Sequence, residues 1–185
     1  MTFSDQDKQR LLQIAKDSIR CGLDTGHPLK LNLSDCSASL LQMGASFVTL
    51  EKGGALRGCI GTLQAYQMVA QDVADHAFAA AFSDPRFPPL EEGEFSNLEI
   101  HISILSAAEE MHFTSEQDLL AQLRPGIDGL ILEEGHQRGT FLPSVWESLA
   151  TPTEFLQHLK QKAGLPMSYW SNSVRVSRYT TLAIP

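Results

Sequence analysis

A glycine-flanked run, Leu56-Arg57-Gly58-Cys59-Ile60-Gly61-Thr62, carries the residues of this chain most suited to chemistry. Because alternate side chains of an extended segment share a face, the spacing predicts Arg57 next to Cys59. A guanidinium close to a thiol favours the thiolate, the nucleophilic and redox-active form of cysteine, so both residues are catalytic candidates. The glycines leave space beside the sulfur for a ligand to approach the backbone. The ligand-binding candidates of this run are Gly58, Gly61 and Thr62.

A purely structural role explains the same run without chemistry. Unbonded cysteine is among the most buried residue types, and the glycines would then serve a β-bulge or close packing. A nucleophilic cysteine also needs a base, and no spacing in the sequence places His76 or His101 beside Cys59. Both interpretations stay open from the sequence alone, and the surroundings of the sulfur separate them.

The second candidate region is the proline-stiffened loop Asp84-Pro85-Arg86-Phe87-Pro88-Pro89. An acidic, a basic and an aromatic side chain lie within four positions, which predicts one wall of a pocket. In the alternative interpretation, Arg86 favours the negative end of a preceding helix and pairs with Asp84 at the surface. The ligand-binding candidates of the loop are Asp84, Arg86 and Phe87.

Charge and missing motifs exclude several function classes. Lys and Arg number 14 against 22 Asp and Glu, and the resulting net charge of -8 repels a phosphate backbone, so nucleic acid is not an expected partner. The sequence contains no phosphate-binding loop, no dinucleotide fingerprint and no serine nucleophile elbow. Its histidines lack metal-ligand spacing, so no metal and no cofactor are predicted. Trp146 and Trp170 are expected to pack in the core.

Size and cysteine content predict one cytoplasmic domain. A chain of 185 residues can bury a single core, so residues 1–185 are expected to form one domain. The first residues lack the basic and apolar regions of a secretory signal, and no apolar run approaches the roughly 20 residues of a membrane span. Cys21, Cys36 and Cys59 fit neither a disulfide framework nor a paired zinc site, which indicates free thiols.

Periodicity and turn residues predict helices that alternate with short strands. Ser4 and Asp7 favour a helix start, and apolar positions then recur at helical spacing to about Cys21. Clean alternation over 98–104 predicts a strand with one buried face. The other helices are expected at 66–82, 114–123, from Pro143 onward and at 151–164, and the other strands at 47–51, 56–62, 129–133, 139–142 and 174–184.

The order hairpin, helix, strand occurs twice along the chain. At residue level, 50–53 with Arg57-Gly58 matches 132–135 with Arg138-Gly139 if one gap is allowed. An internal repeat is therefore expected. The predicted fold class is α+β: a single domain with duplicated hairpin-helix-strand units around one barrel-like, mostly antiparallel sheet.

These segments together resemble the AMMECR-type domain family, called protein A of the AmmeMemoRadiSam system in prokaryotes. The resemblance spans most of the chain in the family's order. One departure is Ile127-Asp128-Gly129, where part of the family has a histidine before the glycine. The matching blocks are FVTL (47–50), LRGCIGT (56–62), DPRFPPL (84–90), GTFLP (139–143) and KAGL (162–165).

The resemblance implies an α+β fold with a barrel-like sheet and, through the name of the system, association with a Memo-type protein and a radical S-adenosylmethionine enzyme. It supplies no reaction. The resulting hypothesis is a role in a modification pathway, as a thiol-dependent enzyme or an enzyme accessory. A pocket at Arg57, Cys59, Asp84 and Arg86 would bind a small molecule or a peptide end, with the arginines holding an anionic group. The alternative is a non-catalytic binding or adaptor domain in which Cys59 only packs.

Overall fold

The chain divides into two compact units, each with its own core. A computed structural model describes residues 2–185. The first unit is the chain up to Leu105 together with Leu182–Pro185, and the second is Ser106–Thr181. The helices and strands, in chain order, are α1 (Asp5–Thr25), β1 (Met43–Lys52), β2 (Ala55–Gly61), β3 (Gln67–Met68), α2 (Val69–Phe82), α3 (Glu92–Phe95), β4 (Leu98–Leu105), β5 (Glu109–Glu110), α4 (Glu116–Gln122), β6 (Gly129–Glu134), β7 (Gln137–Phe141), α5 (Pro152–Lys162), β8 (Arg175–Tyr179) and β9 (Thr181–Ile184), with 3-10 turns at Leu33–Asp35 and Pro143–Glu147.

The first sheet is built around the long strand β1, in the order β2-β1-β4-β9. β1 pairs antiparallel with β2 on one side and β4 on the other, and its beginning also pairs with β3. Val48 and Leu50 are fully buried, whereas Thr49 and Glu51, which alternate with them, are half-buried on the opposite face. This alternation gives the sheet an inner face toward the core and an outer face that carries polar side chains.

Helices α1 and α2 cover the inner face of the first sheet. α1 begins with the predicted capping box, in which Asp7 N donates to Ser4 Oγ while Ser4 N donates to Asp7 Oδ2. α2 packs closely through small side chains, since most of its buried positions are alanine. No helix among residues 2–185 is long and apolar enough to cross a membrane.

The second sheet has the order β5-β8-β6-β7, and its neighbouring strands pair antiparallel. α4 and α5 contribute to a core with Leu130, Leu132 and Val176 of the sheet. Trp146 is buried and stacks on Phe155 with ring centroids 3.8 Å apart, as its predicted packing role requires.

Most predicted elements are present, but the structure differs from the expectation in several places. The strands form two antiparallel sheets where one barrel-like sheet was expected. The cause is the run 174–184, expected as one strand: it divides at Thr180, so that β8 joins the second sheet and β9 the first. α4 begins after Ser115 and not after Thr114, because Asp118 N donates to Ser115 Oγ. The stretch after Pro143 is a 3-10 turn and not an α-helix.

The two units share a connection pattern. In the first, the hairpin β1-β2 is followed by α2 and by β4, which pairs with β1; in the second, the hairpin β6-β7 is followed by α5 and by β8, which pairs with β6. The strand orders β2-β1-β4 and β7-β6-β8 therefore correspond. A common origin of the two units stays a prediction.

Candidate functional site

A β-bulge at Arg57 determines which side chains meet on β2. Leu50 pairs with Gly58 and Glu51 with Leu56, so Arg57 is the extra residue without a partner on β1. Side chains directly opposite in an antiparallel pair share a face, which places Leu56 on the outer face with Glu51. Simple alternation predicted the opposite face for Leu56. Bulges re-aim side chains in this way, and here the bulge directs Arg57 out of the row that contains Cys59.

Arg57 forms an ion pair at the edge of the sheet. Its Nε and Nη2 donate to the two carboxylate oxygens of Glu94, each over 3.0 Å, and Nη2 also donates to Pro88 O over 3.0 Å. These bonds lower the pKa of Glu94 from its ordinary 4.5 to about 2. The Arg57 side chain is only 10% exposed, and its Nη1 is buried without a hydrogen-bond partner among residues 2–185. The positive charge of Arg57 is therefore balanced by Glu94 within the protein.

The loop after α2 completes the free edge of β2. Asp84 Oδ2 accepts a 2.9 Å hydrogen bond from Cys59 N, and Arg86 Nη2 donates to Cys59 O over 3.3 Å. Arg86 also donates from Nε and Nη2 to Asp84, over 2.9 and 2.7 Å, and this pairing holds the pKa of Asp84 well below its usual range. Asp84 is buried, whereas just over half of the Arg86 side chain is exposed. The loop thus binds the backbone groups of β2 that a neighbouring strand would otherwise bind. It also leaves the guanidinium of Arg86 exposed at the surface.

Cys59 lies on the outer face in a row that crosses three strands. Its partner on β1 is Thr49, and the partner of Thr49 on β4 is His101. Thr49 Oγ1 donates to Cys59 Sγ over 3.2 Å, and the cysteine is half-buried. The guanidinium that contacts Cys59 is that of Arg86, through its hydrogen bond to the backbone oxygen of Cys59. The structure therefore gives Arg86 the neighbouring role that spacing predicted for Arg57.

The glycines beside Cys59 make room for neighbouring parts of the protein. A Cβ at Gly58 would overlap the carbonyl oxygen of Ala80 in α2. At Gly61 it would overlap the ring of Phe47 and the carbonyl oxygen of Ser46. Close packing, the alternative that the sequence left open, therefore accounts for both glycines, and their role in ligand approach stays a prediction.

Two further predicted site residues, Thr62 at the end of β2 and Phe87 in the loop after α2, have structural contacts. Thr62 N donates to Ser46 O over 3.1 Å, and Thr62 Oγ1 accepts from Gln64 N over 3.2 Å, so Thr62 ends β2 in a turn. The ring of Phe87 lies below both nearby guanidinium groups, at 5.9 Å from Arg57 and 5.6 Å from Arg86. Both residues support the loop and the edge strand.

His76 belongs to a separate buried group that the sequence did not predict. Asp72, which is almost fully buried, accepts a 2.6 Å hydrogen bond from Ser46 Oγ, and its Oδ2 lies 3.1 Å from His76 Nδ1. The carboxylate lies between the hydroxyl and the imidazole, so His76 does not activate Ser46 as a base would. The group joins α2 to β1.

The position that departs from the family pattern has a structural role. Asp128 is fully buried, and its carboxylate accepts hydrogen bonds from Arg124 N, Nε and Nη2. The backbone oxygen of Asp128 accepts from Trp146 Nε1 over 2.7 Å. These bonds close the turn before β6.

A shallow apolar depression lies elsewhere in the first unit. Its volume is about 370 Å³. Three of its side chains are large, apolar and exposed: Leu33 by 38%, Met43 by 51% and Tyr66 by 71%. A concentration of exposed apolar side chains is typical of an interaction surface. The residues lining the depression are Leu31, Leu33, Met43, Tyr66, Gln67, Met68 and Gln71.

Known proteins resemble the chain over nearly its whole length. The family model AMMECR1 matches residues 12–184. A protein of Methanothermobacter thermautotrophicus is 35% identical over 183 residues, covering 96% of this chain and 93% of that protein. Protein SSO0193 of Saccharolobus solfataricus is 39% identical over 177 residues, covering 91% and 77% respectively. The crystal structure of the uncharacterised protein PH0010 from Pyrococcus horikoshii has a TM-score of 0.90 at 30% identity and covers 98% of this chain and 92% of its own.

Proposed function

Because this chain belongs to the AMMECR1 family, as its sequence motifs predicted, we propose that it acts in a cytoplasmic modification pathway beside a Memo-type protein and a radical S-adenosylmethionine enzyme. The ligand site in this proposal is the outer face of the first sheet at Cys59. The ligand is a small molecule or a peptide end with an anionic group.

One observation carries the proposal: Cys59 Sγ lies on the outer face and accepts a hydrogen bond from Thr49 Oγ1 over 3.2 Å, and the guanidinium of Arg86 donates to the backbone oxygen of the same residue. A hydroxyl donor and a cation both stabilise negative charge on sulfur, which is the condition for nucleophilic or redox chemistry by a thiol. Free cysteines at this and the two other positions are compatible with a reducing compartment.

Arg86 is the residue best placed to hold the anionic group. Arg57 is buried and already paired with Glu94, whereas the Arg86 side chain is 54% exposed beside the backbone of Cys59. The fork of a guanidinium has more donors than its two contacts with Asp84 use, so it can bind a second acceptor. This arrangement favours Arg86 over Arg57 for ligand binding.

Complementation of a strain that lacks the gene tests the thiol. We expect Cys59→Ser to lose function while it folds normally, and Cys21→Ser to keep function, because Cys21 lies on the surface of α1, in another element. Circular dichroism and the unfolding midpoint establish that each variant is folded. Full function of folded Cys59→Ser would exclude a chemical role for the sulfur.

The apolar depression supports a second candidate function, a non-catalytic adaptor that holds a partner protein. The exposed side chains of Met43 and Tyr66 are suited to an apolar anchor from such a partner. In this case Tyr66→Ala should abolish capture of a purified Memo-type protein, and Cys59→Ser should not affect capture. If Tyr66→Ala still captured the Memo-type protein, the apolar depression would be excluded as the docking site.

A further inference from the structure

The outer face of the first sheet carries three potential metal ligands in one place. Glu99 and His101 are two positions apart on β4 and therefore share a face, and Glu51 on β1 lies directly opposite Glu99. One ligand atom from each of the three side chains lies within 4.8 Å of the other two. Two antiparallel strands in the middle of a sheet fix this arrangement.

The two carboxylates lack the partners that would explain their position. Glutamates directly opposite across two strands repel each other, which destabilises the pair. Among residues 2–185, neither the Glu51 nor the Glu99 carboxylate accepts a hydrogen bond from a side chain or the backbone. His101 Nε2 lies 3.8 Å from Glu51 Oε2, beyond hydrogen-bond distance. Lys52, the adjacent cation on β1, pairs with Glu94 instead.

We propose that Glu51, Glu99 and His101 bind a divalent transition-metal ion on the outer face. One imidazole and two carboxylates are ligands that Zn²⁺ accepts, with bonds of about 2.0–2.2 Å. These bonds require the three ligand atoms to be about 3.3 Å apart, and side-chain rotations can bring them to that distance because no two of them are more than 4.8 Å apart. His101 is 39% exposed and Glu51 35%, so the remaining coordination positions are open to water or to a ligand.

The site goes beyond the proposed thiol chemistry and does not depend on it. Cys59 occupies the same face but is separated from His101 by Thr49, which places the sulfur two strands away, at about 10 Å. Cys59 is therefore not a ligand of this ion. The metal and the thiol are neighbours that a single substrate can contact.

Titration with ZnCl₂ in a calorimeter tests the proposal on the purified chain. The wild type should bind one Zn²⁺ that EDTA removes. Glu99→Gln should weaken binding by at least about tenfold, and His101→Gln should abolish it, because each variant removes a ligand. Glu110→Gln is the matched control, since it neutralises an exposed strand carboxylate in the second sheet. Both ligand positions are at least partly exposed, so the variants should keep the wild-type unfolding midpoint without metal.

Co²⁺ provides a direct readout of the ligand atoms. Oxygen and nitrogen ligands give weak visible bands, whereas a thiolate adds an intense sulfur-to-metal band in the near ultraviolet. We expect the weak bands alone, and unchanged binding in Cys59→Ser. A sulfur band that disappears in Cys59→Ser, or Zn²⁺ binding that survives both ligand substitutions, would overturn the site. Neither result would alter the complementation experiment on Cys59.

Discussion

Cys59 takes its surroundings from neighbours on two segments. Thr49 on β1 donates to the sulfur, whereas Asp84 and Arg86 of the loop after α2 bind the backbone N–H and the backbone oxygen. The loop therefore contacts the backbone of Cys59, and Thr49 contacts its sulfur. The reactivity of the thiol should therefore respond to Thr49 more directly than to the loop.

Thr49→Val tests this contact, because it removes the hydroxyl and keeps the shape of the side chain. With Cys21 and Cys36 replaced by serine, we expect Cys59 to react with iodoacetamide about two- to tenfold more slowly in Thr49→Val near pH 7, since the thiolate loses a hydrogen-bond donor. The measurement is the rate of alkylation by mass spectrometry. Ser103→Ala, on the same face of β4, is the control and should keep the wild-type rate. Equal rates in all three proteins would show that Thr49 does not influence the sulfur.

The sequence identified Cys59, Asp84 and Arg86 as residues that belong together, but not how they meet. The turn between β1 and β2 alone would place Leu50 opposite Arg57. The bulge moves that partnership to Gly58, and with it every later pair on β2. A bulge depends on how one strand packs against its neighbours, which a local pattern does not specify. The partners Thr49 and His101 become visible only once this register is known.

At the scale of elements, β2 is an edge strand protected by a loop and covered by a helix. Asp84 and Arg86 occupy the backbone groups of Cys59 that would otherwise pair with another chain, which limits edge-to-edge association. On its inner face, β2 approaches α2 so closely that Gly58 contacts the backbone of Ala80. The candidate site therefore depends on one narrow contact between helix and strand.

Gly58→Ala should disturb that contact. Its added methyl group meets backbone, which cannot rotate away, so we expect a loss of about 2–3 kcal/mol in the free energy of unfolding. Urea unfolding followed by circular dichroism provides the value. Gly93→Ala, where an added Cβ meets no atom within 4 Å, is the matched control and should change stability by less than about 1 kcal/mol. A stable Gly58→Ala would mean that α2 can move away from β2 at little cost.

At the scale of the whole molecule, several carboxylates with lowered pKa values make stability depend on acid, among them Asp7 and Glu94. The pKa of Asp7 falls to about 2 because Ser37 and Ser4 donate hydrogen bonds to it, and that of Glu94 falls to about 2 because Arg57 does. Both groups hold their protons more weakly in the folded chain than in the unfolded chain. Their contribution is complete above about pH 4.5 and is lost as the pH falls toward 2.

The substitution Glu94→Gln should remove part of the dependence of stability on pH. We expect a loss of about 1–2 kcal/mol at neutral pH and a smaller change in unfolding free energy between pH 4.5 and 2, because the ionised partner of buried Arg57 is gone. Denaturant unfolding at a series of pH values measures both effects. Glu92→Gln, in the same helix, is the control: its pair with Arg20 is exposed to solvent, so this substitution should change stability little. If the free energy of unfolding changed with pH in the same way in wild type and in Glu94→Gln, Glu94 would not contribute to the acid dependence.

The sequence predicted the helices and strands well, and their assembly less well. Alternation from Leu98 onward and the cap at Ser4 are local signals, and both predictions are confirmed. The separation into two sheets was not predicted, because it depends on a break at Thr180 inside a run that is β-favouring throughout. Which sheet a strand joins is decided by contacts distant in sequence, and local periodicity carries no such information.

The break at Thr180 also affects the order in which the protein can fold during synthesis. β9 is made long after β4, its neighbour in the first sheet, because the entire second unit lies between them in the chain. On the ribosome, β1, β2 and β4 can pair early, but the far side of β4 has no partner until the last strand emerges. A nascent chain that is stalled before Thr181 would therefore expose an unpaired strand edge, and this is the stage at which we expect chaperone protection to matter most.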